Sequence, residues 1–299
     1  MKEILGKCAV LGGDRRQVYL ARSLAEKGFR VRCFGLPEGT AWEGCETAGS
    51  LEEALFQADI VAGPVPFYKG TGIFGFEREK SLTEDGILKY MKKNSLFFGG
   101  GLSQAFQRKA EQAGIYCIDF MKEEQVIIGN TRAAAEGILA EAVKRSPSNL
   151  GGSSCIVIGY GACGRTLTDY LKAIGCCVTV IEKDRERALW AGMKADKTAG
   201  PAGLEKAIED ASYIFNTAPA LVLKEALLKR VRKDTLILDL ASFPGGVDYQ
   251  AAEREGIQAV LLPGLPGIYA PRSSGEILAE AVLERWNQKI RRQEGLLWK

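Results

Sequence analysis

The sequence predicts an α/β chain of two Rossmann-like, doubly wound parallel-sheet domains with an interdomain cleft, and three observations carry that expectation. The chain has 299 residues, enough for two cores of about 150 residues each. Short apolar runs alternate with amphipathic ones in both halves, the signature of strands alternating with helices. A glycine turn follows the first strand of each half, "AVLGGDRRQ" at residues 9–17 and "IVIGYGACGRT" at 156–166.

Residues 1–129 are expected to form the substrate-binding domain. There "KCAVLG", "FRVRCFG" and "DIVAGPVP" read as strands, with "RRQVYLARSLAEKG" and "LEEALFQA" as the helices between them. A helix near "TEDGILKYMKK", a strand "SLFFGG", a helix "SQAFQRKAEQAG" and a strand "IYCIDF" continue the series, with connections short enough for a parallel sheet. The stretch "YKGTGIFGFEREK" has the glycine-rich, aromatic composition of a functional loop, with a plain surface connection as the alternative. Residues 130–150 are expected to join the domains. Within them "NTRAAAEGILAEAVK" is helical by propensity, with Asn130 or Thr131 as N-cap, and "RSPSNLGGSS", running on to residue 154, is a linker and hinge.

Residues 151–274 are expected to form the dinucleotide-binding domain. Strands are read at "SCIVIG", "CVTVIE", "SYIFNTA", "TLILDLA" and "AVLLPG", and helices at "CGRTLTDYLKAIG", "DRERALWAGM" and "LEKAIEDA". The proline and glycine content of "LLPGLPGIYAPRSSGEIL" predicts a fixed loop. Residues 275–299 form an amphipathic helix that could return to the first domain.

Composition narrows the chemistry. A share of 46% hydrophobic and 26% charged residues is that of a folded globular chain, and a formal charge of +3 with scattered Lys and Arg announces no nucleic-acid surface. No apolar run approaches the roughly 20 residues of a membrane span and no signal peptide is read, so no membrane partner and a cytoplasmic location are expected. The eight cysteines form no CxxC and read as reduced core residues, with Cys163 alone facing a ligand. The chain has no histidine. That removes Ser-His-Asp hydrolases, His-based 2-hydroxyacid dehydrogenases and typical zinc enzymes, so no metal site is expected. Proton transfer is left to Glu, Asp, Lys, Tyr, Cys or water.

Gly159, Gly161 and Gly164 fit G-x-G-x-x-G between a strand and a helix: one glycine makes the turn, one admits a pyrophosphate, and one lets helix and strand pack. With Tyr160, Ala162, Cys163 and Arg165 they are the candidate phosphate cradle, a glycine turn used only for packing being the alternative. Glu182 ends the next strand, where an acid binds ribose hydroxyls. It favours NAD, while Lys183 and Arg185 leave NADP open. Asn216, Thr217 and Ala218, with Asp239 and Ser242, follow later strands and are expected to border the nicotinamide; capping is the alternative for Asp239 and Ser242. Arg15 and Arg16 at the first glycine turn suit a carboxylate, or else cover a solvated helix end. Arg272, Ser273 and Ser274 are read as an anion-binding turn.

The segments "GGDRRQ", "AEG", "GYGACGRT", "TLILDLASFPGGVD" and "PGLPGIYAPRSSGEIL" occur in an order that resembles the family of bacterial dipicolinate synthase A subunits over nearly the whole chain. The resemblance implies a two-domain NAD(P)-binding oxidoreductase of sporulating bacteria. It would make pyridine-2,6-dicarboxylate from 4-hydroxy-tetrahydrodipicolinate, or its dehydrated form, with a flavoprotein-like B subunit. Arg15, Arg16, Arg132, Arg272 and Ser273 are then the candidate anchors of a small dicarboxylate. Glu136 is the first and Asp239 the second candidate for proton transfer. A homo-oligomer is expected. Where the family pattern reads approximately Asn-Ser-Ile-Pro-Thr-Ala-Glu-Gly, this chain has Asn130-Thr131-Arg132-Ala133-Ala134-Ala135-Glu136-Gly137, so a proline is lost and an arginine gained. The rival readings are another NAD(P)-dependent oxo- or hydroxy-acid oxidoreductase and a non-catalytic dinucleotide sensor.

Overall fold

The computed structural model describes residues 4–37, 44–76 and 82–293. The chain divides into two compact units, Met1–Gly129 with Pro271–Lys299, and Asn130–Ala270. In chain order the first part carries β1 (Lys7–Leu11), α1 (Arg15–Glu26), β2 (Arg30–Phe34), β3 (Cys45–Thr47), α2 (Leu51–Leu55) and β4 (Ile60–Ala62). A small hairpin, β5 (Tyr68–Lys69) and β6 (Gly72–Ile73), precedes α3 (Glu84–Tyr90), β7 (Leu96–Gly99), α4 (Gln104–Gln112) and β8 (Tyr116–Asp119). After α5 (Glu124–Arg145) come β9 (Ser154–Ile158), α6 (Ala162–Ala173), β10 (Cys177–Ile181), α7 (Arg185–Gly192) and β11 (Lys197–Ala199). The series ends with α8 (Leu204–Ala207), β12 (Tyr213–Asn216), α9 (Glu225–Leu228), β13 (Leu236–Asp239), α10 (Tyr249–Arg254), β14 (Gln258–Leu261), α11 (Leu265–Tyr269) and α12 (Pro271–Gln293).

Each unit holds one six-stranded sheet, ordered β3-β2-β1-β4-β7-β8 in the first and β11-β10-β9-β12-β13-β14 in the second, with every pairing parallel. Counted within its own sheet, each order is 3-2-1-4-5-6, the doubly wound order that reverses beside the first strand. The chain therefore builds one topology twice, as the paired glycine turns predict.

Parallel strands covered on both faces read as apolar runs, because no face is left for water. In β1, Cys8 and Val10 face one cluster with Leu20, Leu24, Leu278, Val282 and Trp286, while Ala9 and Leu11 face another with Leu55, Ile87 and Phe106. The last helix therefore belongs to the first sheet. A Cβ on Gly275 would stand 2.5 Å from the Arg16 carbonyl oxygen, so glycine sets how closely α12 crosses α1. In the second unit, Cys155 and Val157 pack with Ile138, Leu167 and Leu171, and Ile156 and Ile158 pack with Ile208, Leu228 and Ala251.

Several local expectations change. The long helix starts at Glu124, not at Asn130 or Thr131, which lie in its interior. Its first turns are stabilised tertiarily, with Val126 buried in the first unit's core, so no capping residue is needed at Asn130. Of residues 145–154, expected as a linker and hinge, Arg145 ends α5 and Ser154 begins β9, and the stretch between them is packed within the second unit: Leu150 is buried in its core, and the Tyr213 hydroxyl donates to the Ser148 carbonyl at 2.9 Å. The proline-rich stretch is helical rather than a fixed loop. Pro266 lies in the first turn of α11 and Pro271 opens α12, positions where a missing N–H costs nothing. Cys177 is exposed at the start of β10, and Cys45, Cys117 and Cys163 are half-buried, so only part of the cysteine set belongs to the core. The edge strands β3 and β11 escaped the sequence reading because each has three residues and faces solvent along much of its length. Residues 77–80 of the glycine-rich stretch and 294–299 of the terminal helix lie outside the described residues.

Leu278 is 1% exposed. Leu278→Ala is expected to lower stability by about 3 kcal/mol through lost burial and an unfilled cavity, measured by urea denaturation.

Candidate functional site

The turn between β9 and α6 is built for a ligand at its mouth. Gly159 has φ +91°, a conformation side chains resist, and donates its N–H to the Ile181 carbonyl at 2.8 Å. A Cβ on Gly164 would lie 2.1 Å from the Gly159 carbonyl oxygen, so only glycine lets α6 approach this close. Gly161 differs: a Cβ there would meet nothing within 4 Å. It is the N-cap of α6 and offers no side-chain hydrogen bond, leaving the first N–H groups of the helix directed outward. Glycine at 161 thus keeps open the place where a pyrophosphate approaches.

Glu182 stands where the sequence predicts. It is 7% exposed, its Oε2 accepts the Tyr160 N–H at 2.6 Å, and its Oε1 accepts the Asp184 N–H at 2.9 Å. A carboxylate has lone pairs beyond these two, so it can also receive ribose hydroxyls. Lys183 and Arg185 are exposed beside it. Arg165 reaches back over the Tyr160 ring, 5.7 Å from its centroid, and its Nε donates to the Tyr160 carbonyl at 3.3 Å. Cys163 is half-buried in the first turn, and burial raises its thiol pKa. These residues fit a dinucleotide.

At the carboxyl ends of β12 and β13, two loops share one buried anchor. Asp239 has 0% exposure. Its Oδ1 accepts the Asn216 Nδ2 at 2.8 Å and the Ala241 N–H at 2.9 Å; its Oδ2 accepts the Gly246 N–H at 2.6 Å and the Tyr249 hydroxyl at 2.8 Å. A carboxylate engaged four times and closed to solvent organises loops. It is not placed to accept a substrate proton, so the expectation of Asp239 as a base gives way. Burial and Asp239 together push the Tyr249 phenol pKa up. Thr217 donates its hydroxyl to the Ile158 carbonyl at 2.9 Å, which ties the β12 loop to the glycine turn, and the Ala218 N–H donates to Asn216 Oδ1 at 3.2 Å. Ser242 is exposed in the second loop.

The first unit closes the corresponding turn with its own chain. The Gly13 N–H donates to the Phe74 carbonyl at 2.9 Å, and a Cβ on Gly12 would come 2.5 Å from the Phe76 ring. Phe76 also lies against Gly35, at the end of β2, and stacks with Phe34 at 5.5 Å. The space over the first turn and the end of the second strand, where a dinucleotide would lie, is occupied by the Phe76 ring and the Phe74 backbone. Arg16 is committed as well: it is 6% exposed, paired with Asp14 at 2.8 Å, and donates to the Val65 carbonyl. Its expected role as a carboxylate anchor is therefore replaced by a structural one, because Asp14 also caps α1 and holds the guanidinium. Arg15 is exposed.

Of the remaining candidates, Arg272 and Ser273 lie in the first turn of α12, at the helix start where the anion-binding turn is expected. Both are exposed, and Arg272 pairs with Glu276 at 2.9 Å; Ser274 is buried. Arg132 is exposed on α5. Glu136 is exposed and accepts the Tyr170 hydroxyl at 3.1 Å. Desolvation, and then this hydrogen bond, raises the Tyr170 phenol pKa. The Thr166 hydroxyl donates to Thr131 Oγ1 at 2.9 Å, so α5 and α6 run side by side, with Glu136 farther from the glycine turn than Thr131 is.

A family model for the N-terminal domain of the dipicolinate synthase A subunit matches residues 7–121. One described as the S-adenosyl-L-homocysteine hydrolase NAD binding domain matches residues 131–263. The dipicolinate synthase A subunit of Bacillus subtilis is 30% identical over 97% of this chain and 98% of its own. The chain belongs to the dipicolinate synthase A subunit family.

Crystal structures of this family agree: the Bacillus halodurans protein superposes with a TM-score of 0.86 at 25% identity, covering 95% of this chain and 98% of the other. The Bacillus subtilis protein gives 0.85 at 28%, covering 97% and 98%. A transhydrogenase from Sinorhizobium meliloti shares the fold, with a TM-score of 0.68 at 14% identity over 95% of each chain. Family membership and the NAD-binding Rossmann-type unit make this a dehydrogenase-like protein that uses a nicotinamide dinucleotide. No helix among the described residues is long and apolar enough to cross a membrane.

Two substitutions separate cradle from scaffold. Gly161→Ala is expected to change stability by less than about 0.5 kcal/mol yet weaken NADH binding about tenfold, by fluorescence titration. Asp239→Asn is expected to cost about 3 kcal/mol in urea denaturation, since it leaves buried donors without their acceptor.

Proposed function

We propose that this chain is the oxidising component of a dipicolinate synthase, converting 4-hydroxy-tetrahydrodipicolinate, or the dihydrodipicolinate formed from it by loss of water, to dipicolinate. The observation that carries this reading is a complete dinucleotide turn, with Glu182 fixed beside it, in a chain that aligns with a dipicolinate synthase A subunit from end to end. When bound, the nicotinamide supplies the hydride acceptor. Formation of the aromatic pyridine favours the oxidation, so a strong general base is not required and the lack of histidine is no obstacle.

The protein's own groups have proposed tasks. Arg15, Arg132 and Arg272 present exposed guanidiniums suited to a dicarboxylate, with Ser273 adding a hydroxyl, and Arg16 supports the turn from which Arg15 projects. Glu136, with the Tyr170 phenol, is the proposed proton acceptor, as an exposed carboxylate with a ready hydrogen-bond relay. Glu182 favours NAD over NADP by repelling a 2′-phosphate. A flavoprotein-like partner, the B subunit, together with a homo-oligomeric state and a place in the cytoplasm of a sporulating cell, completes the proposal.

The test is a coupled assay with fresh 4-hydroxy-tetrahydrodipicolinate and NAD or NADP, with and without the flavoprotein-like partner. Dipicolinate absorbance and cofactor reduction are expected to rise in equal amounts. Cofactor binding with neither signal, even with the partner present, would overturn the reading. Glu136→Gln is expected to lower kcat about a hundredfold while leaving NADH affinity within about twofold; unchanged turnover would remove Glu136 from the mechanism.

A further inference from the structure

We propose that Phe243 packs on the nicotinamide half of the bound dinucleotide, a role that rests on the cofactor reading of the second unit. Phe243 is 85% exposed, although it is a large apolar side chain. Its loop is not loose. Leu240 N–H donates to the Asn216 carbonyl at 2.9 Å, Ala241 N–H and Gly246 N–H hold the two sides of the loop to Asp239, and Gly245 N–H closes a turn on the Ser242 carbonyl at 2.9 Å. Phe243 and Pro244 are the corners of that turn. An anchored base therefore presents an uncovered phenyl ring.

Its place in the sheet selects the ligand. Glu182, at the end of β10, marks the side of the adenosine ribose. A dinucleotide held with its adenosine ribose at Glu182 would cross the glycine turn after β9, and its other half would then lie on the side of β12 and β13, the next strands in the sheet. The Phe243 loop follows β13. A flat, electron-poor pyridinium is a good partner for the face of a phenyl ring, and the same ring covers the reduced form by apolar contact. The packing would orient the ring that takes the hydride and keep water from one side of it. Phe243 is thus assigned as a cofactor-positioning residue, additional to the hydrogen-bonding groups of the loop.

The experiment compares NADH with ADP-ribose, which has the pyrophosphate and both riboses but no nicotinamide. Binding of each to the full chain and to Phe243→Ala, Phe243→Leu and Phe243→Tyr is measured by calorimetry. The expected result is a three- to tenfold loss of NADH affinity in the alanine variant, a smaller loss in the leucine variant, recovery in the tyrosine variant, and no change for ADP-ribose in any of them. Unchanged NADH affinity in Phe243→Ala would overturn the assignment, as would an equal loss for both ligands. If the unsubstituted chain bound neither probe, the cofactor reading itself would fall, and this inference with it. If it bound both probes and Phe243→Ala changed neither affinity, only the placement of Phe243 would fail.

Discussion

A carboxylate removed from water is unfavourable unless donors surround it, and Asp239 has four. Those donors come from the end of β12, from both sides of the loop after β13, and from the first residue of α10. One side chain therefore fixes the spacing of two strand ends and the course of the loop between β13 and α10. Asn216 passes the constraint on through its own bond to the Ala218 N–H, and Thr217 carries it to the glycine turn. The cofactor-facing edge of the second unit is thus a connected hydrogen-bonded frame, and the cradle is one end of it.

The two units show how one backbone topology is put to different uses. Strand order and the glycine turn after the first strand are shared. In the second unit a Cβ at Gly161 would meet open space; in the first, Phe74 and Phe76 close over the turn and Phe76 reaches the end of β2. The difference lies in a connection after the fourth strand, which in the first unit folds back as a short hairpin. Topology supplies a site and the loops decide whether it stays available.

The cradle was more legible in the amino-acid sequence than the groups proposed to meet the substrate. Gly159, Gly161, Gly164 and Glu182 occupy a motif whose spacing follows from local geometry, one strand, one turn and one helix, so a linear pattern describes it. Arg16 and Asp239 have no such pattern. Arg16 reads as a partner for an anion until Asp14 and the Val65 carbonyl are seen to hold it, and Asp239 reads as a base until its four donors are counted. Each depends on contacts brought from elsewhere in the chain.

By itself the sequence determined the α/β class, the repeated strand–turn–helix plan, the dinucleotide turn and the exclusion of histidine chemistry, because apolar periodicity, glycine spacing and composition act over short stretches of chain. The tertiary structure decided where α5 begins, that residues 146–153 belong to the second unit's packing, that "LPGIY" is helical, and that Phe76 fills the first turn. These are settled by burial against distant residues. A helix end stabilised by a core needs no cap, and a ring that fits over a glycine does so only after the sheet has brought the two together.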